Sequence, residues 1–316
     1  MKLPKLGSLW MLVAALGFAV MGACVKLASV KFGNTELVFY RSAFGLIVIT
    51  GSIFAISKPL SFETRKAKPL NFWQLIYTPH IVKHLTRALV GFISLVLFFY
   101  AISHLPLATA ITLNYTSPLF LAGMLPFFIP QPTNQPNKRT KAWLYFAIFL
   151  GFSGVILLLK PTFNGENLLA GLLGLLSGFG AGLAYIQVKQ LANLHEPDWR
   201  TVFYFTLVST MLSGFWLLLN ASEMPIFADL PLLIGLGISA TIGQLALTRA
   251  YRTGETLVVA SLAYTTVIFA SLFGTWFWQE SLHWTDVGAI ALIILAGIIS
   301  TKFSTKNSML TTDTTK

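Results

Sequence analysis

Apolar residues in this chain fall into long runs that are separated by short polar stretches. Each run is long enough, at ~20 residues, to cross ~30 Å of hydrocarbon as an α-helix, and a helix satisfies its own backbone hydrogen bonds within lipid. The pattern therefore predicts ten transmembrane helices. They cover residues 8–28, 36–56, 86–102, 107–129, 142–160, 168–188, 199–219, 230–249, 256–278 and 284–302.

Composition agrees with a membrane protein. Hydrophobic residues make up 55% of the chain and charged residues 10%, whereas soluble proteins carry about 25% charged residues. Cys24 is the single cysteine, so no intrachain disulfide can form. His80 and His84 lie one helical turn apart but lack a nearby third ligand, so the sequence predicts solvated histidines, no metal site and no cofactor.

The chain has a net charge of +11, and its lysine and arginine residues are distributed unequally between the two sides of the membrane. With the N-terminus in the cytoplasm, eighteen of the 22 lysines and arginines lie in inward segments, and the outward segments hold only Lys26, Lys31 and Lys160. This asymmetry follows the positive-inside rule. It predicts a multi-pass protein of the inner (plasma) membrane with both termini cytoplasmic, and it makes nucleic-acid binding unnecessary as an explanation of the charge.

The two halves of the chain echo each other. Tyr115-Thr116 recurs as Tyr264-Thr265, and Val38-Phe39-Tyr40 recurs as Val202-Phe203-Tyr204. Since each half holds five spans, an odd number, the second half must enter the membrane from the opposite side. The fold class predicted is all-α integral membrane, with ten transmembrane helices as two inverted five-helix repeats. The predicted boundaries are 1–160 and 161–303 for the repeats, and 304–316 for a disordered cytoplasmic tail.

Inverted repeats bind their substrates near the midplane, where the halves meet. Tyr115 and Tyr264 each lie eight residues into their spans, from opposite faces. Polar residues of the core spans are therefore candidates for substrate contacts, although each could instead hydrogen-bond a neighbouring helix. The candidates are Arg41, Asn114, Tyr115, Ser117, Gln187, Gln244, Tyr264 and Thr265.

Arg41 belongs to one half only, since its position in the repeat is Phe205 in the other half. It lies about four residues inside the outer end of its span. Its side chain could extend to the outer interface, or it could hold a carboxylate or phosphate in a cavity. All eleven acids lie in loops or at span ends, so no deep carboxylate is present to attract a cation. A neutral, zwitterionic or anionic substrate is favoured.

Several motifs together resemble the ten-helix, EamA-like branch of the drug/metabolite transporter superfamily. They are Phe39-Tyr40-Arg41, Tyr100-Ala101 with His104-Leu105-Pro106-Leu107-Ala108, Ser117-Pro118, Ala250-Tyr251-Arg252 with Gly254-Glu255, and Glu280. The resemblance implies alternating access around a central cavity and a cargo such as amino acids, nucleotide-like metabolites or vitamins. The first half has Pro130-Gln131 where the second has Gln279-Glu280, which puts a role for that acid in both halves in doubt.

These observations predict a secondary transporter of a small metabolite (amino acid, nucleotide-like or other neutral, zwitterionic or anionic compound), and not an enzyme. The alternative is an integral-membrane enzyme acting on lipid-linked substrates, which would need clustered acids or His-Asp pairs. The one candidate for such a cluster is residues 195–198, His-Glu-Pro-Asp. The predicted partners are a small-molecule substrate and the lipid bilayer, and a homodimer is left open.

Overall fold

The computed structural model describes residues 4–57, 72–105, 107–129, 138–159, 168–220, 225–278 and 283–313, and these residues form helices and connecting turns without a strand. Lys160, Pro106, Pro130-Gln131 and Glu280, which were singled out above, lie outside the described residues. The helices are α1 Pro4–Ala28, α2 Asn34–Ser57, α3 Phe72–Ile76, α4 Ile81–His104, α5 Leu107–Asn114, α6 Ser117–Phe128, α7 Lys138–Leu159, α8 Leu168–Asn193, α9 Asp198–Leu219, α10 Leu230–Thr253, α11 Thr256–Leu262, α12 Thr265–Trp278 and α13 Trp284–Asp313.

The prediction of an all-α membrane fold is confirmed. Eight segments of the described chain are long and apolar enough to cross a membrane, and Trp284–Ser300 is a shorter apolar helix. Each predicted span coincides with a helix or, for the fourth and ninth spans, with a pair of helices. The predicted third span, 86–102, was too short, because α4 begins at Ile81. Arg87, whose charge was counted with the inward segments, therefore lies well inside a helix.

The outer surface of the bundle is suited to lipid. On α8, for example, Leu169, Leu172, Leu176 and Phe179 are exposed, whereas Ala170, Gly174, Gly178 and Gly182 on the same helix are buried. Small residues let helix backbones approach closely where lipid supplies no hydrophobic drive for association. The helix therefore presents its large apolar side chains to lipid and its small residues to the protein.

Helices of the first half pack mainly against helices of the second half. Helix α1 packs along α10 and α4 packs along α8, while α2 pairs with α9 and α7 with α13. In the sequence alignment of the halves, α1 corresponds to α8 and α4 to α10, so exchanging the halves maps each of these pairs onto another pair or onto itself. The boundary at residue 160 stays a prediction, since helices of both halves are intermixed throughout the bundle.

Helix α13 is longer than its predicted span. Its backbone remains helical to Asp313, where the sequence predicted a disordered tail from residue 304. Residues 304–313 contain neither glycine nor proline, the residues that most strongly terminate helices.

Candidate substrate cavity

The fourth span is interrupted in its middle. Helix α5 ends at Asn114, Tyr115 and Thr116 form a turn, and α6 begins at Ser117. The Thr116 hydroxyl donates to the Leu113 carbonyl at 2.5 Å, and the Thr116 N–H donates to the same carbonyl. Pro118, in the first turn of α6, carries no N–H and is tolerated where a helix begins. A local hydroxyl bond and a proline thus stabilise the break.

The ninth span is interrupted at the equivalent place. Helix α11 ends at Leu262, and α12 begins at Thr265, after a turn at Ala263 and Tyr264. The Thr265 hydroxyl donates to the Leu262 carbonyl at 2.7 Å, as Thr116 does in the first half. A threonine hydroxyl bonded to a carbonyl of the preceding turn competes with helical bonding and bends the chain. The repeated Tyr-Thr pair therefore marks a repeated structural feature, a broken helix.

Glycine residues allow neighbouring helices to pack closely against both breaks. A Cβ added to Gly178 of α8 would lie 2.3 Å from the Thr116 hydroxyl oxygen and 2.6 Å from the Leu113 carbonyl oxygen. A Cβ on Gly151 of α7 would lie 2.5 Å from the Tyr264 ring. Real Cβ atoms are not found this close to other atoms, so α8 and α7 can pack on the breaks only through glycine.

A cavity of about 480 Å³ lies at the centre of the bundle, beside the first break. Helices α1, α2, α4, α5, α6, α8, α9, α10 and α12 contribute to its wall, so both halves of the chain surround it. Its polar lining residues are Lys26, Ser29, Arg41, Arg87, Ser94, Asn114, Tyr115, Ser117, Tyr185, Gln244, Thr266 and Ser271. The remaining wall is mostly apolar and rich in phenylalanine.

Five of the eight predicted site residues line this cavity. They are Arg41, Asn114, Tyr115, Ser117 and Gln244. Asn114 is oriented by its neighbours, since its amide nitrogen donates to the Ser177 hydroxyl at 3.1 Å, and Ser177 donates to the Gly174 carbonyl.

The other three predicted residues lie outside the lining. Tyr264 is fully buried behind Tyr115, with ring centres 6.5 Å apart. Thr265 uses its hydroxyl to hold the second break. Gln187 lies farther along α8, where its side-chain oxygen is buried and has no hydrogen-bond partner among the residues that the structure describes. A direct substrate contact from these three stays a prediction, and their positions favour support of the wall.

Arg41 lies deeper than the sequence predicted. Helix α2 begins at Asn34, so Arg41 lies seven residues, or ~10 Å, from the start of the helix. Its side chain is 6% exposed and lines the cavity. The alternative in which Arg41 extends to the outer interface does not agree with this burial.

Arg87 is a lining residue that sequence reasoning missed, because its charge was counted with the inward segments although it is the second residue of the predicted span 86–102. It is 3% exposed, and its guanidinium carbon lies 4.3 Å from the centre of the Phe205 ring. Arg41 contacts the same ring at 5.7 Å. The signal that could have identified Arg87 is its position at the edge of an apolar run. At such a position, hydropathy is compatible both with a loop and with the first turns of a helix.

The two ends of the cavity differ. At one end the lining reaches Lys26 and Ser29 near the end of α1, Ile102 near the end of α4, and Gly274 in α12. At the opposite end, helices approach closely: a Cβ on Gly7 of α1 would lie 2.5 Å from the Thr253 carbonyl oxygen at the end of α10.

Ion pairs join the helices at this closed end. Asp198, the first residue of α9, pairs with Arg249 at 3.0 Å and with Arg252 at 3.3 Å, both on α10. Lys189 of α8 donates to the Gly254 carbonyl at 3.4 Å. Helices α8, α9 and α10 are therefore linked at the end of the cavity that is closed.

A second polar cluster surrounds Glu196 in the α8–α9 turn. Its carboxylate accepts hydrogen bonds from Thr78 at 2.5 Å and from Arg200 at 2.7 Å, and His84 Nε2 lies 3.2 Å away. Burial opposes ionisation of the carboxyl, but the bonds from Thr78, Arg200 and His84 outweigh it and hold the pKa of Glu196 below its usual value. The sequence prediction of a solvated His84 was wrong, since this side chain is fully buried.

Comparison with known proteins agrees with this architecture. The EamA-like transporter family matches residues 5–160 and again residues 168–301. The chain belongs to the EamA-like transporter family. A member of this family is a multi-pass membrane protein of a transporter class, as the apolar helices also indicate. The resemblance that the motifs indicated is thereby confirmed.

Individual relatives carry different cargo. The chain is 30% identical to the pseudopaline exporter of Pseudomonas aeruginosa over 94% of this chain and 96% of that protein. It is 26% identical to a riboflavin transporter of Vibrio cholerae over 96% of each. A crystal structure of a protein 18% identical to this chain has a TM-score of 0.75 and covers 93% of this chain and 96% of the other. The last similarity concerns the fold alone.

Proposed function

We propose that this EamA-family protein is a secondary transporter of a small metabolite, and that the central cavity is its substrate site. The observation that supports the proposal is the position of the cavity: residues of both halves surround it, beside a helix break that the other half repeats. Broken helices at the centre of inverted repeats expose polar backbone and side-chain groups that can bind a solute within the membrane.

In this proposal Arg41, Asn114, Tyr115, Ser117 and Gln244 contact the substrate directly. Tyr264, Thr265 and Gln187 act behind them by fixing the second break and the wall. The amide and hydroxyl groups supply hydrogen bonds, and the guanidinium supplies charge. None of the described lining residues is a carboxylate, so the wall contains no anionic group to hold an ammonium.

Under the predicted topology, the ends of α1, α4 and α12 lie at the outer face of the inner membrane. The cavity then extends outward, and the Asp198 pairs close the cytoplasmic end. Alternating access requires a second state in which these ion pairs part and the outer ends of the helices approach each other. An enzyme acting on lipid-linked substrates, the alternative function, finds less support, because the carboxylates of Glu196 and Asp198 are both engaged in ion pairs. Glu196 pairs with Arg200 one turn farther along the chain, and Asp198 pairs with Arg249 of α10.

The experiment compares metabolites inside and outside cells that express the wild type, Arg41→Ala, Lys83→Ala or no protein. Lys83 is exposed and lies on α4 outside the cavity, so its substitution is the control for loss of a positive charge. A compound that redistributes with the wild type and Lys83→Ala, but not with Arg41→Ala, supports transport through this cavity. No redistribution by the inserted wild type would contradict the proposal.

A further inference from the structure

The charges within the cavity wall are unbalanced. Its charged residues, among those the structure describes, are Lys26 near one end and Arg41 and Arg87 at depth, with no aspartate or glutamate. The Nε of Arg41 and the Nε and Nη1 of Arg87 are buried without a hydrogen-bond partner in the described part of the chain. Two cationic groups thus share a buried site that holds no anion.

The Phe205 ring cannot compensate these charges. Placing a cation over an aromatic face stabilises it by much less than the desolvation of a charged group costs. Like charges near one another add to that cost. The arrangement is therefore expected to need anionic groups from elsewhere, and the cavity that both arginines line provides the space for them.

We propose that the cavity recognises a small organic dianion with two separate anionic groups, such as a dicarboxylate, each bound by one of the guanidinium groups of Arg41 and Arg87. This inference rests on the proposed function and specifies its substrate class. The two guanidinium carbons lie 5.7 and 4.3 Å from one ring centre, so they are at most 10.0 Å apart. A guanidinium binds a carboxylate through two parallel hydrogen bonds, and two carboxylates joined by a short carbon chain can reach guanidinium groups that are no farther apart than this.

The rest of the wall suits the remainder of such a molecule. Phe98, Phe99, Leu95 and Phe18 offer apolar surface to a carbon chain, and Asn114 and Gln244 offer amides to a hydroxyl or amino substituent. Lys26, closer to the end of the cavity, adds positive potential along the entry path. Clefts lined by one sign of charge raise the local concentration of solutes of the opposite sign.

The test measures binding to the full-length protein in lipid nanodiscs by calorimetry. The probes are glutarate with two carboxylates, pentanoate with one, cadaverine with two amines, and inorganic phosphate with one polyanionic group. We expect glutarate to bind about tenfold or more tightly than pentanoate, phosphate to bind more weakly than glutarate, and cadaverine not to bind. This ranking is measured on the wild type and does not depend on a variant folding.

Variants then test whether Arg41 and Arg87 are the residues that bind the two carboxylates. Arg41→Gln and Arg87→Gln should each weaken glutarate binding about tenfold and remove its advantage over pentanoate. Arg87→Lys, which keeps the charge without the fork, should fall between them and the wild type. Lys83→Gln, on the same helix as Arg87 but exposed, should bind as the wild type does.

Four results would overturn the dianion assignment. They are no binding of glutarate to the wild type, equal affinity for glutarate and pentanoate, tighter binding of phosphate than of glutarate, or unchanged affinity in Arg87→Gln. The transport assay separates this failure from failure of the proposed function. If a monoanion or a neutral compound is redistributed instead, the proposed transport function stands and the dianion assignment fails. If glutarate binds but no compound is redistributed, the dianion assignment stands and the proposed transport function fails.

Discussion

The guanidinium of Arg87 lies 4.3 Å from the centre of the Phe205 ring, and that of Arg41 lies 5.7 Å from the same centre. Phe205 occupies, in the second half of the chain, the position that Arg41 occupies in the first. One half therefore contributes the cations Arg41 and Arg87, and the other contributes the aromatic ring that both of them approach. A symmetric scaffold carries an asymmetric site, which allows selectivity without a change of fold.

The ring itself should contribute measurably to substrate binding. We expect Phe205→Leu to weaken glutarate binding several-fold, because each guanidinium loses a contact worth about 0.5–2 kcal/mol and becomes free to leave its bound orientation. Isothermal calorimetry on the protein in nanodiscs measures the change. The matched control is Phe215→Leu, the same substitution on the exposed face of the same helix. Equal affinities in the two variants would show that Phe205 does not orient the arginines.

Close packing at the first helix break is open to a direct test. Gly178→Ala should destabilise the protein by about 1–3 kcal/mol, because the new methyl group would overlap the Thr116 hydroxyl and the Leu113 carbonyl and must displace backbone. Gly171→Ala on the same helix meets nothing within 4 Å and should be neutral or slightly stabilising. Thermal unfolding in one detergent compares them. A Gly178→Ala melting temperature equal to that of Gly171→Ala would argue against the tight contact.

Hydropathy was sufficient to locate the ten spans, since the length and spacing of apolar runs follow from the thickness of the membrane. It could not place Arg87. An arginine at the edge of an apolar run is equally compatible with a loop and with the first turns of a helix. Only packing of α4 against α8 and α9 shows that this side chain points into the protein.

Packing also separates two tyrosines that the sequence presents as equivalent. Tyr115 and Tyr264 occupy matching places beside matching threonines, and the sequence therefore predicted matching roles. In the structure Tyr115 lines the cavity, whereas Tyr264 is closed off between Tyr115 and Gly151. The repeat predicted the shared backbone break correctly, but the side-chain environment depends on neighbours from other helices, which do not match between the halves.

The Glu196 cluster predicts a particular dependence of stability on pH. The pKa of this carboxyl is lower in the folded protein than in the unfolded chain. Its contribution is therefore complete above the unfolded value of about 4.3 and is lost as the pH falls through the folded value. We expect Glu196→Gln to lower the melting temperature at pH 7, and the difference from the wild type to shrink below about pH 4.3. A difference that stays constant down to pH 3 would indicate that the ionised carboxylate is not what stabilises this turn.

The ion pairs of Asp198 should set the balance between the two states of alternating access. Arg249 and Arg252 are partly exposed, so each pair is worth only about 0.2–1 kcal/mol. Loss of both pairs in Asp198→Asn should therefore shift the equilibrium roughly fivefold toward an inward-open state rather than unfold the protein. The chain has a single native cysteine, so the shift can be measured by cysteine labelling.

In a Cys24→Ser background, Ala270→Cys places a thiol on the cavity wall. A membrane-impermeant thiol reagent applied outside should label this cysteine more slowly when Asp198→Asn is added. Ala289→Cys, buried in α13 outside the cavity, reports any general loosening of the bundle. Faster labelling at both positions would mean that Asp198 maintains the fold. Slower labelling at Ala270→Cys alone would mean that these ion pairs hold the cytoplasmic end closed.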